Sequence, residues 1–176
     1  MHIRQLTESD ADVFWTFRLR ALELDAEAFT ESAEEHKGTS IAFHAERLRS
    51  DPAESFVFGA FDGKELVGTA GFYREKHGKR RHLGKIWGVH VSPAVRGRGV
   101  GRQVLAALIE KAKTLPGLVA IQLSVGTTQT AARKLYAGLG FRPWGCEPRA
   151  LQIGEKYVDE EHMVLDLDRG APARKA

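Results

Sequence analysis

Three arginines and three glycines crowd the stretch Arg96-Gly97-Arg98-Gly99-Val100-Gly101-Arg102, directly after the apolar run Val89-His90-Val91-Ser92-Pro93. Glycines let a backbone approach a ligand without obstruction by a Cβ. A helix opening at the end of this turn offers unpaired N–H groups and the positive end of its dipole to an anion. Guanidinium groups add charge-assisted donors that suit phosphate oxygens. The segment therefore reads as a seat for a pyrophosphate. The G-x-G-x-x-G dinucleotide fingerprint does not fit it, because Val104 stands where the third glycine would fall. The string G-x-x-x-x-G-K-[ST] occurs nowhere in the chain. An ordinary Gly-rich β–α turn is the plain alternative, and the clustered arginines weigh against it.

A second segment, running from Val125 through Gln129 to Phe141, carries Tyr136 on an expected helix. Its phenol is a group that can hold or give up a proton, or simply pack on an amphipathic helix. Together the two segments resemble the GNAT N-acetyltransferase superfamily. The acyl-CoA loop pattern [RQ]-x-x-G-x-[GA] is matched by residues Arg96 to Gly101. The pattern A-x-x-L-Y-x-x-L-G-F is matched by Ala132, Leu135, Tyr136, Leu139, Gly140 and Phe141. Gln129 stands where the family commonly has Asn, one methylene longer but still an amide.

The resemblance implies an α/β (α+β) GNAT fold, with a mixed central sheet of six to seven strands and helices on both faces. It implies acetyl-CoA (coenzyme A) as cosubstrate, held by Val89, His90, Val91, Arg96, Gly97, Arg98, Gly99, Val100, Gly101, Arg102, Gln129, Ala132 and Tyr136. In such a site the pantetheine arm lies between two splayed strands like an added strand. The Val89 amide then donates to the developing oxyanion, and Tyr136 acts as general acid. The base is open. Related protein N-terminal acetyltransferases place a Glu five residues before the Asn, and Ser124 occupies that position here. Glu34, Glu35, His90, Glu147 and a water chain are the alternatives. The seven histidines show no metal-binding spacing, so no metal is expected.

The expected activity is acetyl-CoA-dependent N-acetylation of a primary amine of a small molecule, by direct attack on the thioester. Acetylation of a protein or peptide N-terminus is the nearest rival, and a non-catalytic acyl-CoA-binding module is another. The connector bearing Glu23, Asp25, Glu27, Glu31, Glu34 and Glu35 suits a cationic acceptor, or is a solvated acidic surface. Trp87 and Trp144 are either pocket-lining or core aromatics. The basic run Arg74, Lys76, Lys79, Arg80, Arg81 and Lys85 reads as a solvated hairpin loop, with nucleic-acid binding ranked last.

A chain of 176 residues with 43% hydrophobic content and net charge +3 suits one domain, expected over residues 1–168 with a flexible tail at 169–176. No apolar run approaches the roughly eighteen residues of a membrane span. A single cysteine, Cys146, excludes an internal disulfide, fits a reducing cytoplasm and reads as a packed residue rather than a nucleophile. Oligomeric state is not fixed by the sequence, dimers being common in the superfamily it resembles. The periodicity predicts strands at 3–6, 55–61, 65–73, 82–91, 119–125, from 141, and 156–165. It predicts helices at 10–24, 40–49, after the Gly-rich turn, and 128–138. Asp51-Pro52 is expected to stop the second helix. The resulting order is β-α-α-β-β-β-α-β-α-β-β.

Overall fold

A computed structural model describes residues 1–49, 51 and 54–167; the expected helix stop at Pro52, the domain end at 168 and the tail at 169–176 lie outside the described residues. Among those described, seven strands form one sheet: β1 (His2–Gln5), β2 (Ser55–Asp62), β3 (Glu65–Arg74), β4 (Leu83–Val91), β5 (Ala120–Gly126), β6 (Arg142–Ile153) and β7 (Lys156–Asp166). Their spatial order is β1-β2-β3-β4-β5-β7-β6. Neighbours pair antiparallel except β4 and β5, which are parallel because a helix crosses between them. The expected mixed sheet and the order of its elements are observed.

Side chains alternate across β2, and the alternation builds two cores. Phe56 and Ala60 face one way, onto α4 (Val100–Lys113) and α5 (Thr130–Gly138). Val57 and Phe61 face the other way, onto α1 (Ala11–Leu24) and α3 (Ile41–Arg49). The apolar stripe Val100, Val104, Leu105, Leu108, Ile109 and Ala112 is buried along α4, which fixes that helix against the sheet.

One helix is additional to the expected order. The acidic connector contains α2 (Ala33–Lys37), opened by a capping box in which Ser32 Oγ accepts from Glu35 N–H. The Glu35 carboxylate accepts in return from Ser32 N–H at 2.7 Å. Ser32-Ala33-Glu34-Glu35 carries the S-x-x-E signature of such a box, so the signal was present in the chain. The helix buries His36 beneath the connector, where Nε2 lies 3.0 Å from the Trp15 carbonyl.

The feature that makes a site is where β4 and β5 stop pairing. They are in register only over Leu83–Lys85 against Ala120–Gln122. Beyond that, β3 holds β4 as far as Val91 and β7 holds β5 as far as Gly126. A register shift between Thr69 and Gly71 of β3 bulges β4 around Gly88, whose carbonyl accepts from Thr69 Oγ1 at 3.1 Å. Each strand is thus anchored on its outer side, and the two inner edges diverge.

Candidate active site

A cavity of about 420 Å³ fills the divergence. Strand β4 contributes Val89, His90 and Val91, and the following turn contributes Arg96, Gly97 and Gly99. The first turn of α4 adds Val100, Gly101 and Arg102; Gln129 precedes α5, which adds Ala132 and Tyr136. Twelve of the thirteen residues expected around a cofactor therefore border one cavity. The thirteenth, Arg98, is exposed and does not border it.

At the end formed by the glycine-rich turn the backbone supplies the donors. Gly97 and Gly99 take φ of +78° and +77°, left-handed values that side-chain-bearing residues avoid. Gly99 is the N-cap of α4 and supplies no side-chain cap. The first backbone amide to be accepted within the helix is Gln103 N–H, by Gly99 O at 3.1 Å. Amides 97–102 therefore have no acceptor among the described residues, an arrangement that favours an anion.

The three arginines differ. Arg96 donates from Nε to the Val91 carbonyl at 2.9 Å and pairs with Asp25. Arg102 donates to the Gly138 carbonyl at 3.1 Å, at the C-terminal end of α5. Arg98 has no such partner among the described residues. Gly101, read from sequence as a third point of ligand approach, has a packing role: a Cβ there would lie 3.1 Å from Leu135 and 3.4 Å from Val91.

In the middle of the cavity Tyr136 is almost fully buried, its ring edge-on to Phe141 at 6.0 Å. Burial pushes its phenol well above the usual range, so it holds its proton. Its hydroxyl has no hydrogen-bond partner among the described residues. His90 is buried with Asp25 3.2 Å from Nδ1. Burial lowers its pKa to about 4, Asp25 opposing and Arg96 and Arg18 reinforcing, so the ring is neutral at neutral pH.

A second cavity of about 480 Å³ adjoins the first and shares Trp87, Gly88, Leu123 and Ser124 with it. Its far wall carries Tyr73, Arg80, Lys85, Trp144, Glu160 and His162. Arg18 donates from Nε and Nη2 to Glu31 at 2.8 and 2.6 Å at its edge. Burial pushes Glu31 up, but Arg18 and His36 outweigh it and hold the carboxylate below its ordinary value. Burial, aided by Glu147, raises Glu160 against the opposing effect of His162. The Glu160 carboxylate has no hydrogen-bond or ion-pair partner among the described residues.

The structure does not bring Glu34 or Glu35 to either cavity. Glu34 is exposed and paired with Lys37 at 2.8 Å, and Glu35 is committed to the α2 cap. Ser32 N–H and Oγ hold the Glu35 carboxyl below the usual range. Of the six connector acids only Asp25 and Glu31 reach a cavity wall, both against arginines. Glu147 stands 3.2 Å from His162 Nε2, and Ser124 Oγ is 2.8 Å from His162 Nδ1. His162 and Glu160 were not singled out by sequence reasoning. They belong to β7, far along the chain from both motifs, and only its pairing with β5 sets His162 opposite Ser124.

Cys146, expected to be packed, is exposed on β6, and Trp144 lies 56% exposed over the His162 ring. The basic hairpin is largely satisfied internally. Arg74 donates to the Arg81 and Pro116 carbonyls, Arg81 pairs with Glu54, and Arg80 and Lys85 share Glu75. No group of three or more metal-ligating side chains occurs among the described residues. No helix there is long and apolar enough to cross a membrane.

The pattern of the Acetyltransferase (GNAT) family matches residues 18–141, and the chain belongs to that family. It is a GNAT acetyltransferase domain in sequence and fold. It is 33% identical over 178 residues to the N-alpha-acetyltransferase RimI of Mycobacterium tuberculosis, covering 97% of this chain and 94% of that protein. It is 30% identical over 130 residues to the mycothiol acetyltransferase of Salinispora tropica, covering 70% of this chain and 40% of that one. The chain spans only 23% to 40% of the length of five of the curated relatives it matches. Its fold is similar to a phosphinothricin acetyltransferase of Sinorhizobium meliloti solved in complex with AcCoA, with a TM-score of 0.80 and 18% identity. That likeness covers 94% of this chain and 87% of the other.

Proposed function

We propose that the protein transfers the acetyl group of acetyl-CoA to the primary amine of a small molecule, by direct attack of the amine on the thioester. The observation that carries this reading is the pair of joined cavities between the diverging strands. One ends at the unpartnered amides 97–102, and the other ends at charged and aromatic side chains. In this reading the amides of the turn and the first turn of α4 hold the diphosphate, with Arg96 as a charge-assisted donor. The Val89 amide serves the oxyanion, and the buried phenol of Tyr136 protonates the departing thiolate. Gln129 and Ala132 flank the pantetheine arm.

The GNAT neighbour solved with AcCoA supports the cosubstrate, and the mycothiol acetyltransferase similarity supports a small acceptor. Glu160 supports a cationic one, being a carboxylate of the second cavity that makes no hydrogen bond or ion pair among the described residues. The place of action we propose is the cytoplasm, where acetyl-CoA is made and a lone thiol stays reduced.

The test is an acceptor screen with acetyl-CoA, reading free thiol, across amino acids, polyamines, aminoglycosides and an alanine-initiated peptide. Turnover of a small amine supports the proposal. Turnover of the peptide alone supports N-terminal acetylation, which the nearly full-length similarity to RimI favours as the second reading. Binding of coenzyme A without turnover of any amine points to a non-catalytic module.

A further inference from the structure

On the acceptor wall β7 and β6 place an imidazole between a hydroxyl and a carboxylate. Ser124 Oγ lies 2.8 Å from His162 Nδ1, and Glu147 Oε2 lies 3.2 Å from Nε2 of the same ring. Trp144 stacks on the imidazole at 5.3 Å with the planes 23° apart, which limits its rotation. Ser124 borders both cavities and so stands at their junction, where an acceptor nitrogen must pass to reach a thioester. Resting on the acetyltransferase reading, we infer that Ser124 and His162 are the proton-accepting pair for the acceptor amine, with Glu147 as the residue that positions His162.

The chemistry follows from the order of the groups. Glu147 beside Nε2 favours the tautomer with hydrogen on Nε2, which leaves Nδ1 bare to accept from the Ser124 hydroxyl. The serine oxygen then presents a lone pair to the cavity. An ammonium group gives one proton to Ser124 Oγ as the serine proton passes to His162 Nδ1. The imidazolium formed is held by Glu147 and returns its proton to solvent at its exposed edge. The neutral amine attacks the thioester carbon, the C–N bond forms and the C–S bond breaks. The sulfur takes the Tyr136 proton, and the second nitrogen-bound proton restores the phenol. Thioester and ammonium become amide, thiol and one released proton. The other charged or titratable groups facing this cavity are Glu160 on β7, Tyr73 on β3, Lys85 on β4, Arg80, and the Arg18–Glu31 pair.

Two measurements test the pair. In the first, wild-type, His162→Gln, Ser124→Ala and Ser124→Thr proteins are compared on the fastest amine of the screen and on hydroxylamine, which is already neutral at neutral pH. His162→Gln and Ser124→Ala should lose about a hundredfold in kcat on the protonated amine and far less on hydroxylamine, and Ser124→Thr should restore most of the rate. Affinity for coenzyme A, measured by calorimetry, should not change. Equal losses on both amines, or no loss on either, overturn the inference while leaving the acetyltransferase reading intact. The second is the ¹⁵N NMR tautomer of His162 in wild-type protein at about pH 8, which needs no acceptor. Hydrogen on Nε2 alone is expected; hydrogen on Nδ1, or a doubly protonated ring, overturns the inference.

Discussion

The carboxylate of Asp25, just beyond α1, stands 3.2 Å from Nδ1 of His90 on β4, and the same oxygen holds the guanidinium of Arg96. A residue from the acidic connector thus bridges the strand of the cavity and its glycine-rich turn. Asp25 and a bound diphosphate would compete for Arg96. Asp25→Asn should therefore tighten coenzyme A binding by about two- to fivefold at low salt, the scale of a solvent-exposed ion pair. Calorimetry across a salt series checks it; unchanged or weaker affinity would show that Arg96 does not exchange partners.

The two kinds of glycine in the turn should separate experimentally. Gly97→Ala meets nothing within 4 Å but must hold a φ of +78°, costing about 1–2 kcal/mol and misdirecting the open amides. It should lower coenzyme A affinity out of proportion to its effect on Tm. Gly101→Ala instead crowds Leu135 and Val91, so its main effect should be on stability, about 1–3 kcal/mol. Thermal unfolding and calorimetry on both variants distinguish strain from packing.

Tyr136→Phe removes only the hydroxyl from a buried ring. Its kcat should fall by about 10²–10⁴ while coenzyme A affinity stays within about twofold. An unchanged kcat would remove the phenol from the chemistry.

On the proposed acceptor side, Glu160→Gln should raise KM for cationic amines by about tenfold, the effect of losing one charge-assisted contact. Glu34→Gln and Glu35→Gln should leave KM unchanged, since neither residue borders a cavity. Steady-state kinetics with a cationic and a neutral acceptor decide between the wall and the connector.

Buried His44 and His90 make stability depend on mild acid. Burial, with His36, Arg47 and Arg18 against a smaller pull from Glu31, lowers His44 to about 4 from an ordinary 6.5; burial lowers His90 similarly. Below about pH 6.5 the unfolded chain takes up protons that the native state refuses. Stability therefore falls as pH drops through the window down to about 4, by up to roughly 3 kcal/mol per histidine. Asp10, held at about 2 chiefly by Arg4, has its stabilisation fully present above 3.8 and loses it only at lower pH. Urea midpoints measured between about pH 7 and pH 4.5 should fall steadily, and His44→Gln should flatten the slope by about one proton.

Local signals were legible in the chain. The apolar stripe from Val100 to Ala112 and the glycines at 97 and 99 each act over a few residues. They define a helix and the left-handed turn before it without reference to the rest of the molecule. The two motifs define the family on the same footing, because each is a contiguous string. The capping box of α2 is equally local, its Ser32 and Glu35 standing among the other charges of the connector.

Tertiary structure decided what depends on distant elements meeting. Sequence could place Arg96, Arg98 and Arg102 in one turn. Only the fold committed Arg96 to Asp25, sent Arg102 to the end of α5 and left Arg98 outside the cavity. Ser124 alone suggested the loss of a base; sheet pairing set it beside His162, whose far nitrogen faces Glu147. Periodicity encodes which face of an element is buried. It does not encode which element comes to lie opposite, because that follows from packing the whole sheet at once.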